Sequence, residues 1–158
     1  MTAAVLACQE ANSYTHIMAP SSNYGKNFLP RVAAKLDVAQ ISDVMAIEDE
    51  NTFQRPMYAG NAIARVKSSD KVIPMTVRAT GFEKAAEEGG SASVEDAPAF
   101  EPSGVVSFVS EEKVKSDRPE LESASIVVSG GRGLKNGENF ELLYSLADKL
   151  DAAVGASR

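Results

Sequence analysis

Apolar positions along this chain switch between a helical period and a strand period. Thr2 to Ala11 has the spacing of the end of an amphipathic helix, which Asn12-Ser13 breaks. Tyr14 to Ala19 reads as a buried strand closed by Pro20, and Ser21 to Asn27 as a polar loop. From Phe28 to Leu36 the period is helical again: Phe28, Leu29, Val32, Ala33 and Leu36 share one broad face. Pro30 then belongs to the first turn of that helix, where its missing N–H costs nothing. Strand, loop, helix is the α/β rhythm.

Four short strand-like runs follow: Ser42 to Glu48, Thr52 to Tyr58, Ala62 to Val66 and Lys71 to Arg78. Their polar or glycine-bearing connections predict antiparallel hairpins or a meander. Gly81 to Pro102 is rich in Ala, Gly, Ser and Glu, and carries six acids and one lysine from Glu83 onward. It reads as a solvated loop. Gly104 to Val109 returns to a strand pattern, and Ser110 to Glu122 reads as an interdomain linker around Asp117-Arg118-Pro119-Glu120.

The last segment predicts a βαβ unit. Ser125 to Val128 is a strand, Glu138 to Leu150 a helix and Ala152 to Val154 a second strand. Phe140, Leu143, Tyr144, Ala147 and Leu150 form the helix's apolar face, widened by Leu142 and Leu146. Asn136 is placed to cap its start, and Lys149 suits its last turn. Two strands cannot bury both faces of a sheet, so further chain is expected beyond Arg158. The expected fold class is α/β: βα units with an antiparallel β insertion in a first domain, then the opening βαβ unit of a Rossmann-like domain.

Composition narrows the function classes. The chain has 158 residues, 24% of them charged and 44% hydrophobic, as in ordinary globular domains. Its net charge of −6, without a basic stripe, argues against nucleic acid and anionic membranes as partners. No apolar stretch is long enough to span a bilayer, so direct membrane insertion is not expected. One cysteine, Cys8, excludes an internal disulfide framework, and one histidine, His16, leaves little for a metal centre. The N-terminus is a weak secretory signal and no transit peptide, since Lys26 is the first basic residue.

Candidate chemistry gathers in Ser129-Gly130-Gly131-Arg132-Gly133, between the first strand and the helix of the βαβ unit. A glycine-dense turn there lets backbone N–H groups approach an anion closely, and its arginine can clamp a phosphate through two hydrogen bonds. The turn is no Walker A loop. Gly131, Gly133 and Gly137 give GxGxxxG, one residue from the dinucleotide-binding fingerprint. In a right-handed βαβ unit the carboxyl ends of both strands lie on one edge, where open α/β sheets bind ligands. The turn and the segment Gly155-Ala156-Ser157-Arg158 therefore converge, and Arg132 and Arg158 make that edge positive. A dinucleotide or another phosphorylated cofactor suits it; a surface arginine with capping residues is the plain alternative. Elsewhere plain readings prevail. His16 reads as a core histidine without catalytic partners, Cys8 as a small buried hydrophobe and Lys26 as part of a solvated loop. Arg31 and Lys35 read as a solvated helix edge, Asp43 as a strand-end turn acid, and Glu87-Glu88 as an exposed charge run. No catalytic residue and no metal ligand set is expected.

Several segments in order resemble the α subunit of electron transfer flavoproteins, particularly the mitochondrial members. They are Val127 to Gly133, Gly137-Glu138-Asn139-Phe140, Leu146-Ala147 and Val154 to Arg158, with Phe28 to Leu36, Ile41-Ser42-Asp43 and Lys115 to Leu121. The resemblance implies residues 1–113 as a partial N-terminal α/β domain and 114–158 as the linker and first βαβ unit of an FAD-binding domain. It implies FAD contacts from Arg132 and Ser157, with Gly131 and Gly133 beside them. It sets Arg158 against the isoalloxazine ring, where a cation favours the anionic reduced flavin and raises its potential. It also implies an internal fragment, with most of the FAD held by sequence outside this chain.

The function so implied is electron transfer without substrate turnover of its own, in an FAD-containing heterodimer with a β subunit. Electrons come from acyl-CoA dehydrogenases and related dehydrogenases of fatty acid β-oxidation and amino acid breakdown. They pass to a membrane enzyme, the electron transfer flavoprotein-ubiquinone oxidoreductase. The implied location is the mitochondrial matrix. The rival reading is an α/β nucleotide-binding module that holds AMP or ATP in a regulatory or scaffolding role.

Overall fold

The computed structural model describes residues 1–86, 88–102, 104–112, 117–121 and 124–156. The chain divides into two compact units, Met1–Ser107 and Phe108–Arg158. In the first, the order is α1 (Thr2–Asn12), β1 (His16–Pro20), α2 (Asn23–Leu36), β2 (Ile41–Val44), β3 (Ala46–Ile47), β4 (Thr52–Met57), β5 (Ala62–Lys67) and β6 (Ile73–Val77). β1 and β2 both run parallel to β6, which lies between them. β3, β4 and β5 form a separate antiparallel sheet.

The pleat explains how these pieces pack. Ile73 and Met75 of β6 point to one face, where Phe53, Ile41 and Val44 join them in a buried cluster. His16 is in register with Ile73 and its ring meets Phe53 edge-on at 6.5 Å. Ile17 and Ala19, on the alternate face, pack with Leu29 and Val32 of α2 and with Val5 and Leu6 of α1. The parallel sheet is therefore covered by helices on one face and by the antiparallel sheet on the other.

Three expectations for this unit need correction. The run Ser42 to Glu48 is two strands in two sheets: after Val44 the chain turns, and Met45 N–H donates to the Gln54 carbonyl. Lys71 to Arg78 is no hairpin arm, since its core, β6, is the central parallel strand. Short connections do not reveal this, because β6 returns to the first sheet only after the hairpin is complete. Ser21 to Asn27 is mostly helix: Ser22 caps α2 by accepting from Gly25 N–H at 3.2 Å. Pro30 therefore sits inside α2 rather than in its first turn. It and Lys26 are both exposed, so water can solvate the Lys26 carbonyl that lost its helical donor.

The described part of 81–102 is exposed coil after a short 3₁₀ turn at Ala79–Gly81. Gly104 to Val109, expected as a strand, is coil among its described residues, with Val105, Val106, Phe108 and Val109 exposed. A strand needs a neighbouring strand to satisfy its N–H and C=O groups, and none among the described residues pairs with it. Part of the expected linker, including Lys113 to Ser116, and Glu87 of the acidic run lie outside the described residues.

The second unit holds β7 (Val127–Gly130), α3 (Glu141–Leu150) and β8 (Ala153–Ala156), with β7 parallel to β8. The expected βαβ unit is present with both strands displaced toward their carboxyl ends. Ser129 and Gly130 pair with Gly155 and Ala156 instead of forming loops. Glycine permits this: a Cβ at Gly130 would collide with the side chains of Leu134 and Leu143, and one at Gly155 with Ser129 Oγ. Glu138–Phe140 forms a 3₁₀ turn, and the α-helix proper begins at Glu141.

Candidate functional site

The site is built where β7 ends. Backbone hydrogen bonds from Leu134 N–H to Gly131 O and from Lys135 N–H to Arg132 O fold the glycine turn into a 3₁₀ turn over Arg132–Leu134. Lys135 then takes φ 66°, a left-handed value uncommon for a residue with a side chain. Asn136 caps the next turn as expected: its Oδ1 accepts from Asn139 N–H at 3.2 Å. These turns carry the chain from the end of β7 to the start of α3.

The result is a cleft of about 340 Å³, formed by Gly130, Gly131, Arg132, Lys135, Asn136, Gly137, Phe140 and Ala156. Its floor is glycine backbone, and its charge comes from Arg132 and Lys135. Neither cation has an ion pair among the described residues, so both are available to an anion. A Cβ at Gly137 would meet no atom within 4 Å, which leaves room for a bound group beside it. Phe140 supplies an apolar wall. This donor set suits a phosphate attached to an aromatic or sugar moiety. The cleft is at the small end of ligand sites, which run from roughly 300 to 1,000 Å³. It fits part of a dinucleotide.

Of the residues named from sequence, Gly131 and Arg132 line the cleft, and Gly133 belongs to the same turn without lining it. Ser157 and Arg158 lie outside the described residues, but Ala156 brings the end of β8 to the cleft as the parallel-strand argument requires. Lys135 and Phe140 also line the cleft, a position the sequence does not signal. In sequence Phe140 reads as part of the helix's apolar face. Lys135 had only its charge as a signal, because its φ is not visible in sequence.

A polar brace stands behind the cleft. Arg118 donates to Asp148 of α3 through Nε at 2.6 Å and Nη2 at 3.0 Å. The same guanidinium lies 4.8 Å from the centroid of the Tyr144 ring, and Tyr144 packs against Phe140 at 6.2 Å between centroids. A residue of the expected linker thus supports the wall of the cleft through two aromatic rings. Arg118 holds the Asp148 carboxyl below the usual carboxylate range.

The remaining candidates belong to the first unit. His16 is half-buried, its ring nitrogens engaged by Thr15 Oγ1 at 2.9 Å and the Glu50 carbonyl at 2.7 Å. Cys8 is a free, half-buried thiol. Arg31 and Lys35 are exposed on α2. Asp43 is more than a turn acid: it pairs with Arg78, which holds its carboxyl below the usual range. Among the described residues there is no cluster of three metal-ligating side chains and no helix long and apolar enough to cross a membrane.

Comparison with known proteins adds a family to this geometry. The electron transfer flavoprotein domain model matches residues 1–102, and the electron transfer flavoprotein FAD-binding domain model matches residues 120–158. The electron transfer flavoprotein subunit alpha of Pseudomonas aeruginosa is 58% identical over 155 residues, covering 98% of this chain and 50% of its own length. The mitochondrial subunit alpha of Dictyostelium discoideum is 55% identical over 158 residues, covering 95% of this chain and 44% of its own length. The electron transfer flavoprotein subunit alpha of Paracoccus denitrificans is 55% identical over 148 residues, covering 94% of this chain and 48% of its own length. The chain spans about half the length of these curated relatives.

Proposed function

Because this chain belongs to the electron transfer flavoprotein α-subunit family, we propose that the protein is one half of an FAD-containing heterodimer that carries electrons. Its partner is the β subunit. Its electron donors are acyl-CoA dehydrogenases and related dehydrogenases of fatty acid and amino acid breakdown. Its acceptor is the membrane quinone oxidoreductase of the same system. The carrier has no substrate turnover of its own, so it needs no acid–base pair. We place it in the mitochondrial matrix: relatives in Dictyostelium and Caenorhabditis are mitochondrial by name, while relatives of comparable identity are bacterial.

The observation that carries this reading is the cleft at the carboxyl ends of β7 and β8, where two unpaired cations meet glycine backbone. When bound there, FAD supplies the ring that takes up and releases electrons. The chain's own residues bind and orient it. Arg132 and Lys135 neutralise phosphate charge, Gly131 and Gly133 keep the backbone accessible, and Phe140 excludes water from one wall. Ser157 and Arg158 complete the contacts on the strength of the family resemblance. Arg158 has the further role of favouring the negatively charged reduced ring. We also propose that the boundary between the N-terminal domain and the FAD-binding part lies near residues 113–114.

The test uses the full-length protein with its β subunit. Mixed anaerobically with a reduced acyl-CoA dehydrogenase, it is expected to lose its flavin absorbance, and to do nothing to acyl-CoA alone. Stoichiometric AMP or ATP with no flavin would favour a nucleotide-binding regulator instead. Bound flavin that no reduced dehydrogenase bleaches would contradict the carrier role.

A further inference from the structure

Phe140, Tyr144 and Asp148 follow one another at i, i+4 spacing, so they form one row along α3 and the turn that leads into it. Arg118 lies across the far end of that row. Its guanidinium forks onto the Asp148 carboxylate and stands 4.8 Å from the centroid of the Tyr144 ring. Tyr144 in turn meets Phe140, whose ring is the apolar wall of the glycine-turn cleft. Phe140 also packs close over the cleft floor: its Cζ is 3.3 Å from where a Cβ on Gly130 would stand. The wall is thus seated on glycine backbone and backed by Tyr144, and Tyr144 is held by an arginine from outside the helix.

The segment that carries Arg118 is itself fixed to the sheet. Leu121 Cδ2 is 3.4 Å from the place of a Cβ on Gly155 of β8, next to the Ser129 side chain. Gly130 faces Leu143 of α3, so its neighbour Ser129 faces the opposite way, and Leu121 packs on the sheet face opposite α3. Residues 117–121 therefore grip the βαβ unit on both faces.

As an ion pair, Arg118–Asp148 adds little stability, because the Asp148 side chain is 57% exposed. What the contact supplies is orientation. A two-bonded fork has one geometry, and a guanidinium over a ring restrains that ring. A ligand that needs one rotamer of a wall residue binds in proportion to the fraction of molecules that hold it.

We propose that Arg118 is a positioning residue for the cofactor: through Asp148 and Tyr144 it holds the Phe140 ring in the orientation that receives the bound group. The proposal rests on the reading of this cleft as an FAD site. Arg118 does not line the cleft, so its effect on the cofactor passes through Phe140.

The test is equilibrium titration of FAD into the flavin-free full-length protein with its β subunit. Arg118→Gln and Asp148→Ala are each expected to weaken FAD binding about three- to tenfold, the size of coupling through a shared contact. Arg118→Lys, with the charge but not the fork, should fall between Arg118→Gln and wild type. Asp148→Ala separates the brace from plain electrostatics. Alanine suits an exposed helix position, and loss of a negative charge would by itself tighten the binding of an anion, so weaker binding reports the lost brace. In a Phe140→Leu background both changes should have less than about a twofold effect, because the ring they position is gone. If wild type binds FAD and Asp148→Ala binds it as tightly or more tightly, the positioning role is overturned and the FAD reading stands. Undiminished effects in the Phe140→Leu background overturn it as well. If wild type binds AMP but not FAD, the FAD reading fails, and the same variants titrated with AMP decide the positioning role by the same signs. Binding of neither ligand overturns both.

Discussion

Gly25 shows how little room a single residue has in this fold. It lies buried in the first turns of α2, against the end of β1, and a Cβ there would overlap the Pro20 carbonyl oxygen. Backbone cannot give way as a side-chain tip can, so Gly25→Ala is expected to destabilise the protein by about 1–3 kcal/mol in thermal or urea melts. Asp43 makes a separate point about charge. Hydrogen bonding to Arg78 lowers its carboxyl pKa in the folded protein. The stability this adds is fully present above the unfolded pKa of about 4 and is lost as pH falls through the depressed folded value. Asn tolerates the left-handed backbone of Asp43 (φ 61°), so Asp43→Asn isolates the charge. Urea melts of this variant from about pH 6 downward are expected to show a shallower acid-side loss than wild type. Neither feature was legible in the sequence. In sequence Gly25 reads as part of a polar loop, and the Asp43–Arg78 pair joins residues 35 apart through a register that only the sheet defines.

The helices and strands were legible where their periodicity was long and uninterrupted. α3 declared itself by its apolar face, and the β4–β5 hairpin by two runs around Ala59-Gly60-Asn61. The start of α2 is not legible, because Pro30 argues for a later one than the observed Asn23. Tertiary burial of Leu29, Val32 and Ala33 outweighs the proline's cost, and exposure of the Lys26 carbonyl softens it. Pro30→Ala restores a donor to that turn. It is expected to raise the stability by about 1–2 kcal/mol, once the entropy returned to the unfolded chain is subtracted, and a melt reads it directly. Sheet membership was the larger gap. Alternation marks a strand but carries no information about which neighbour it pairs with, so β6 passed for a hairpin arm. The same gap explains Gly104 to Val109, whose apolar pattern is strand-like yet has no described partner.

At the scale of the whole molecule, two units carry different parts of the account. The first builds a helix-covered parallel sheet with an antiparallel sheet on its other face. The second builds a βαβ unit whose glycine turn, Arg132, Lys135 and Phe140 line a cleft. The turn was the most legible feature of the sequence, because glycine density and a strand–helix junction have one physical use in common: close approach of backbone to an anion. What the sequence could not show was Lys135, brought to the cleft by a left-handed residue, or the Arg118 brace behind Phe140. The central claim is that this cleft holds part of FAD, and equilibrium titration of FAD into the full-length protein with its β subunit tests it most directly. Arg132 is exposed, so Arg132→Ala should leave the melting temperature of the flavin-free protein unchanged. Loss of a charge-assisted contact is expected to weaken FAD binding about ten- to hundredfold. An FAD affinity equal to that of wild type would contradict the account.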